Sequence, residues 1–240
     1  NDGVLDVDDD CPLDDVNDDG FGCPIVYANT TVFFEDFEDD VTGNNPVINN
    51  SAGNIGSTWD NEVSPGVTVS TNPNLTGNTS ATVLKLHHRG QMSGNFVSGV
   101  PFNGASISMD FYVASADGLT GNNNAKKVGL KSLRADNTTP WGLNLRLDGA
   151  VGGGLFATSH YGSGIWQNAT WGFTYIGGDD WEVDLTFTNL NTGASTVTEI
   201  QTMALGAAVN TEIFTAIGSR GQGPDPFEGY VDNIAVTSRQ

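Results

Sequence analysis

Apolar and polar residues alternate with a period of two along most of the chain beyond Thr31. Ile107, Met109, Phe111 and Val113 are interleaved with Ser106, Ser108 and Asp110. Leu143, Leu145 and Leu147 flank Asn144 and Arg146, and Trp181, Val183, Leu185 and Phe187 flank Glu182, Asp184 and Thr186. Trp171, Phe173 and Tyr175 form another such row. Side chains of a strand point alternately to its two faces, so each row predicts a strand with one face buried. No window carries a comparable helical stripe. Turn-forming sequence separates the rows, as at Asn72-Pro73-Asn74, Gly121-Asn122-Asn123-Asn124, Gly152-Gly153-Gly154, Gly177-Gly178-Asp179 and Asn191-Thr192-Gly193. Roughly a dozen strands exceed what one flat sheet usually carries. The expectation is therefore an all-β fold over residues 29–240, two antiparallel sheets packed face to face as a jelly-roll-like sandwich.

Charge divides the chain. Of 29 acids against 9 bases, 14 acids and no base fall within the first 40 residues. A net charge of −20 lacks the basic footprint that a phosphate backbone or an anionic membrane surface demands, which argues against both as partners. No run of about 18 apolar residues suggests a helical membrane span. Cys11 and Cys23 are the two cysteines. One pairing is available, so one disulfide and an oxidising, extracellular compartment are expected, with two free thiols as the alternative. Asn1-Asp2-Gly3 is neither basic nor apolar, so a secretion signal is expected to lie ahead of this sequence.

Residues 1–28 form a separate acidic segment. Taking Asp2 as position 5 of a calcium loop, Gly3 is the turn, Asp6 falls on position 9 and Asp9 on position 12. Asp15, Asn17 and Asp19 then supply positions 1, 3 and 5 of a second loop, with Gly20 at position 6. Alternate oxygens along a tight loop converge on one centre, and the glycine permits the turn. A disordered acidic linker is the alternative. The pattern D-G-V-x-D-x-x-D-x-C-P followed by D-x-N-x-D-G-x-x-C-P resembles thrombospondin type 3 repeats over about 24 residues. That resemblance implies Ca²⁺ held by Asp2, Asp6, Asp9, Asp15, Asn17 and Asp19, and a Cys11–Cys23 bridge. It departs from the pattern where Cys23 occupies position 9 and Val26 position 12.

The sandwich begins with Val32-Phe33-Phe34-Glu35-Asp36-Phe37-Glu38-Asp39-Asp40 and ends with Glu228-Gly229-Tyr230-Val231-Asp232-Asn233-Ile234-Ala235-Val236. Adjacent acids on a strand need water or a cation. The layout resembles jelly-roll carbohydrate-binding modules and laminin G-like domains, in which an N-terminal F-E strand and a C-terminal D-N-I-x-V strand share a structural calcium. The resemblance implies Glu38 and Asp232 as ligands, with Asp36 beside them. The alternative is solvated edge-strand charge.

For chemistry, Glu182 and Asp184 on one strand face faintly resemble the E-x-D core of laminarinase-like hydrolases, but Thr186 and Phe187 stand where a further Glu belongs. The clusters His87-His88-Arg89 and His160-Tyr161 could serve a polysaccharide lyase, yet that family's Tyr-Lys and Gln-x-His strands are missing. No Gly-x-Ser-x-Gly elbow lies between a strand and a helix. The reading is a non-catalytic polysaccharide-binding module, a monomer within a larger secreted multidomain protein. A concanavalin-like lyase or hydrolase, and a protein-binding adhesin or spacer, are the alternatives. Sugar rings stack on exposed aromatics; Trp141, Tyr161 and Trp166 beside turns are the expected platforms, with His88 and Arg89 as polar partners.

Overall fold

The structure is a computed structural model and describes residues 29–44, 60–61, 67–86, 91–93, 104–114, 127–133, 141–146, 151–152, 164–178, 180–204, 213–220 and 229–239. The acidic segment, with its expected ligands and both cysteines, lies outside the described residues. The chain divides into two compact units, residues 1–30 with 239–240 and Thr31–Ser238, and the sandwich is the second of them.

The fold is a two-sheet antiparallel β-sandwich of jelly-roll type, and no helix occurs among the described residues. Its strands are β1 (Asn29–Glu35), β2 (Asp60–Asn61), β3 (Val67–Thr71), β4 (Thr82–Leu86), β5 (Gln91–Ser93), β6 (Ser106–Val113) and β7 (Lys127–Leu133). They continue as β8 (Trp141–Arg146), β9 (Val151–Gly152), β10 (Trp166–Gly177), β11 (Asp180–Asn189), β12 (Ser195–Ala204), β13 (Ile213–Arg220) and β14 (Gly229–Arg239). The larger sheet runs β12-β11-β10-β6-β14-β4-β3, with β1 also on β14, and the smaller runs β2-β5-β13-β7-β8-β9.

The alternating rows of the sequence become the buried face of the larger sheet. Ile107, Met109, Phe111 and Val113 of β6 lie beside Ala169, Trp171 and Phe173 of β10, and Val183, Leu185 and Phe187 of β11 continue the layer. Trp171 and Trp181 are core residues, as their alternation predicts.

The opposite face of this sheet is also closed in part. Trp166, Val83 and Tyr230 form a second small core there, with Tyr112, Ala114 and Leu190 packed against it. The loop 72–81 is pinned to it as a roof. The Trp166 indole N–H donates to Asn72 Oδ1 at 3.2 Å and to the Asn74 carbonyl at 2.7 Å. The buried Asn72 amide in turn donates across the loop to the Asn78 and Ser80 carbonyls, fixing its shape. Gly77 turns this loop at φ +88°, and a Cβ there would collide with the Asn191 side chain, so both backbone and space require glycine.

β14 joins both halves of the larger sheet. One of its edges carries β6 from Gly229 to Thr237, and β4 pairs Gly229–Val231 on the other edge. Since β1 also pairs β14, β4 and β1 share that second edge, and β4 ends its pairing at Val231. Just there the register against β6 shifts between Asp232 and Ala235, and Asn233 adopts φ 47°. A bulge inserts one residue and keeps Val231, Ile234 and Val236 in the core.

Candidate functional site

Two places in this fold concentrate polar chemistry. The first is at the β14 bulge. Asp232 stands directly opposite Asp110 of β6, which stands opposite Asn168 of β10. Like charges facing each other across strands are destabilising, and both carboxylates are buried, so the surroundings must compensate. Asn168 donates to Asp110 Oδ1 at 2.8 Å and is itself oriented by the Thr170 hydroxyl. The left-handed turn at Asn233 aims its amide at both acids, 2.8 Å from Asp110 Oδ2 and 3.3 Å from Asp232 Oδ2. Asn78, reaching in from the roof loop, donates to Asp232 Oδ2 at 2.7 Å.

Asp232 Oδ1 has no partner although it is fully buried. Burial pushes the Asp232 carboxyl up to about 7 against the opposing hydrogen bonds from Asn78, Ser80 and Asn233, and the Asp110 charge adds to the rise. Asp110 is raised as well, by burial, with Asn168 and Asn233 working against it. A neutral environment for two acids is what a proton or a cation would relieve.

Close by, the chain leaving β1 makes a second acidic turn. Phe37 is buried at φ 58°, its carbonyl accepts from the Thr82 hydroxyl at 2.7 Å, and Glu38 Oε1 accepts from the Thr82 N–H at 3.0 Å. Glu35 is buried, uses Oε1 to accept from the Phe37 N–H at 3.0 Å, and leaves Oε2 without a partner. Burial pushes the Glu35 carboxyl up to about 7, the Phe37 N–H opposes this, and Asp40, Asp39 and Asp36 push further upward.

The expected ligands are therefore distributed unevenly. Asp232 is buried with a free oxygen, Glu38 is exposed and caps Thr82, and Asp36 is half-buried and accepts from the Glu38 N–H at 3.2 Å. Among the described residues no group of three acids, histidines or cysteines gathers to hold a metal. A cation at Asp232 would lean on that carboxylate together with neutral oxygens. The orphaned Asp232 Oδ1 is the observation that fits one. Sequence reasoning passes over Glu35, Asp110 and Asn78. Asp110 reads as the solvent side of an alternating row, and only the register reveals that it faces Asp232.

The second place is the polar face of the smaller sheet. Val128 and Leu130 of β7 share one face with Leu143 and Leu145 of β8 and Ile217 of β13. The intervening positions put Lys127, Gly129 and Lys131 on the other face, in register with Arg146, Asn144 and Gly142 on one side and Arg220, Gly218 and Ala216 on the other. Gln91 and Ser93 of β5 and Gly152 of β9 extend the same face.

One of the expected stacking platforms is corrected. Trp166 is fully buried and spends its N–H on the roof loop, so it has no face to offer a sugar. Trp141 opens β8 at the register position opposite Ser132. Tyr161, His88 and Arg89 lie outside the described residues.

The same jelly-roll architecture occurs in solved lectins and sugar-active enzymes. Lectin II from Ulex europaeus superposes with a TM-score of 0.54 at 10% identity, over 88% of this chain and 100% of the lectin. The catalytic domain of a glycoside hydrolase family 131 protein from Coprinopsis cinerea gives 0.53 at 9% identity, over 88% of this chain and 98% of that one. An alginate lyase variant in complex with alginate trisaccharide gives 0.50 at 11% identity, covering 89% and 98%. No family model and no curated protein matches the sequence. Binding proteins and enzymes both use this frame, so fold alone does not decide between them. Glu182, exposed, and Asp184, half-buried, sit opposite Thr174 and Gly172 on the larger sheet.

Proposed function

We propose that residues 29–240 are a non-catalytic polysaccharide-binding module of a secreted multidomain protein. In this reading residues 1–28 are a thrombospondin type 3-like segment, disulfide-bridged and loaded with Ca²⁺, and a further Ca²⁺ rests at the β14 bulge. The module is a monomer within its parent chain.

The observation that carries the binding reading is the row Gly218–Gly129–Asn144–Gly152 across four strands of the smaller sheet. Three of its four positions lack a side chain, which lets a ligand approach the backbone closely, and Lys127, Arg146 and Arg220 flank it on one side. A sugar chain is a flat, hydroxyl-rich ligand suited to such a floor. The lectin-like frame supports the same reading, and the larger sheet is the poorer host because the loop 72–81 already closes part of its outer face.

The test is an array of plant and algal polysaccharides scored both for retention and for new reducing or unsaturated ends. Retention without new ends is expected. Product formation would make the chain a lyase or hydrolase, and no retention on any glycan would favour a protein-binding adhesin or spacer.

A further inference from the structure

The bases of this protein are not scattered. Arg220 pairs with Lys127 and Lys127 pairs with Arg146, so three cations stand side by side on adjacent strands, and Lys131 lies on the same face of β7. With paired residues about 5 Å apart across strands, the row spans roughly 10 Å, and Lys131 lies about 13 Å along β7 from Lys127. These are four of the nine bases in the whole chain. The six strands of the smaller sheet hold one acid, Asp60, at the edge strand β2. The strands of the larger sheet show the reverse, with Lys85 and Arg239 against seven acids.

Like charges directly opposite one another weaken a sheet. In a chain with three times as many acids as bases, a carboxylate opposite Lys127 would be the easy remedy, yet both cross-strand neighbours are arginine. An external anion at this row would offset that repulsion. Guanidinium groups match planar carboxylates and sulfates through paired hydrogen bonds, and the glycine-rich row lies one step along the strands from the basic row.

We infer that the smaller sheet binds an anionic polysaccharide, carboxylated or sulfated, through Arg220, Lys127, Arg146 and Lys131. This rests on the glycan-binding reading and specifies its ligand class.

The experiment measures affinity of the full chain, in calcium, for polygalacturonate and alginate, for a sulfated galactan, for the neutral glucan laminarin, and for duplex DNA. Binding to the carboxylated or the sulfated arm is expected, and which of them prevails identifies the anion. Affinity should fall as NaCl rises from about 0.05 to about 0.5 M, where screening shortens from more than 10 Å to a few Å. The double variant Lys127→Gln/Arg146→Gln should bind at least about tenfold more weakly with a melting temperature no lower than the parent's. If that variant melts early, Arg220→Gln and the salt series of the unaltered protein carry the same test. Binding to laminarin alone, equal binding to DNA, or anionic binding indifferent to salt and to these substitutions would overturn the inference while leaving glycan binding intact in the first case. Failure to bind any polysaccharide would remove both readings.

Discussion

Replacing Asp232 by asparagine separates a buried acid that is merely tolerated from one that waits for a cation. Without metal at pH 8, a carboxyl raised from 3.8 to about 7 holds its charge at a cost of roughly 4 kcal/mol relative to water. Asparagine removes that cost while keeping an oxygen for the Asn78 and Asn233 amides. Its own amide then takes the place of Oδ1, where no acceptor stands, a penalty of about 1–3 kcal/mol. In chelator the variant should therefore be more stable than the parent by about 1–3 kcal/mol, several degrees in melting temperature for a domain of this size. In calcium the order should reverse. An ion bound only to the folded parent adds about 4.1 kcal/mol at a thousandfold excess over Kd, more than the variant's advantage in chelator, and the variant has lost the ligand. Urea unfolding with and without chelator reads both arms. A variant equally destabilised in both would refute the reasoning, since Asp232 would then be a hydrogen-bond acceptor and nothing more.

Glu35 yields a pH dependence. Its folded-state carboxyl is raised from 4.5 to about 7, so its contribution to stability is fully present below about pH 4.5 and is lost as pH rises through about 7; in chelator, Glu35→Gln should gain on the parent steadily between pH 5 and pH 8, and a difference constant with pH would contradict this. Trp166→Phe removes both indole hydrogen bonds to the roof loop and should cost about 2 kcal/mol in urea unfolding while leaving glycan retention unchanged; loss of retention in a stably folded variant would return Trp166 to the binding surface.

The sandwich is legible in the sequence because its determinant is local. Alternation in β6, β10 and β11 identifies strands and their buried faces without reference to any other segment, and the burial of Trp171 and Trp181 follows from it. That of Trp166 does not, because its alternation puts it on the outer face and its burial comes from a loop some ninety residues earlier in the chain. In the acidic turn after β1 the alternation continues through a run of acids that masks it: Glu35 and Phe37 are buried, Asp36 is half-buried and Glu38 exposed, so Glu35 rather than Asp36 or Glu38 is the acid driven inside. The Asp110–Asp232 apposition depends on the register of β14 against β6, and the basic row on the registers of β13, β7 and β8. Register across strands distant in sequence is not written in any one of them.

The same non-locality alters the meaning of the net charge of −20. Read over the whole chain, that charge argues against polyanionic ligands, and for duplex DNA, with its dense phosphates, the argument stands. Yet fields are screened beyond about 8 Å at physiological salt, so a ligand in contact with the smaller sheet responds to the charges of that sheet. There the bases exceed the acids four to one, while the acids of the larger sheet sit partly in buried, amide-capped positions such as Asp110 and Asp232. A hydroxyl-rich chain with one charge per ring, less dense than the phosphates of duplex DNA, can satisfy the basic row at contact range without drawing the full repulsion of the molecule. The sign of a partner is thus set by which residues share a face, and in this protein β-strand register gathers four of the nine bases onto one face of the smaller sheet.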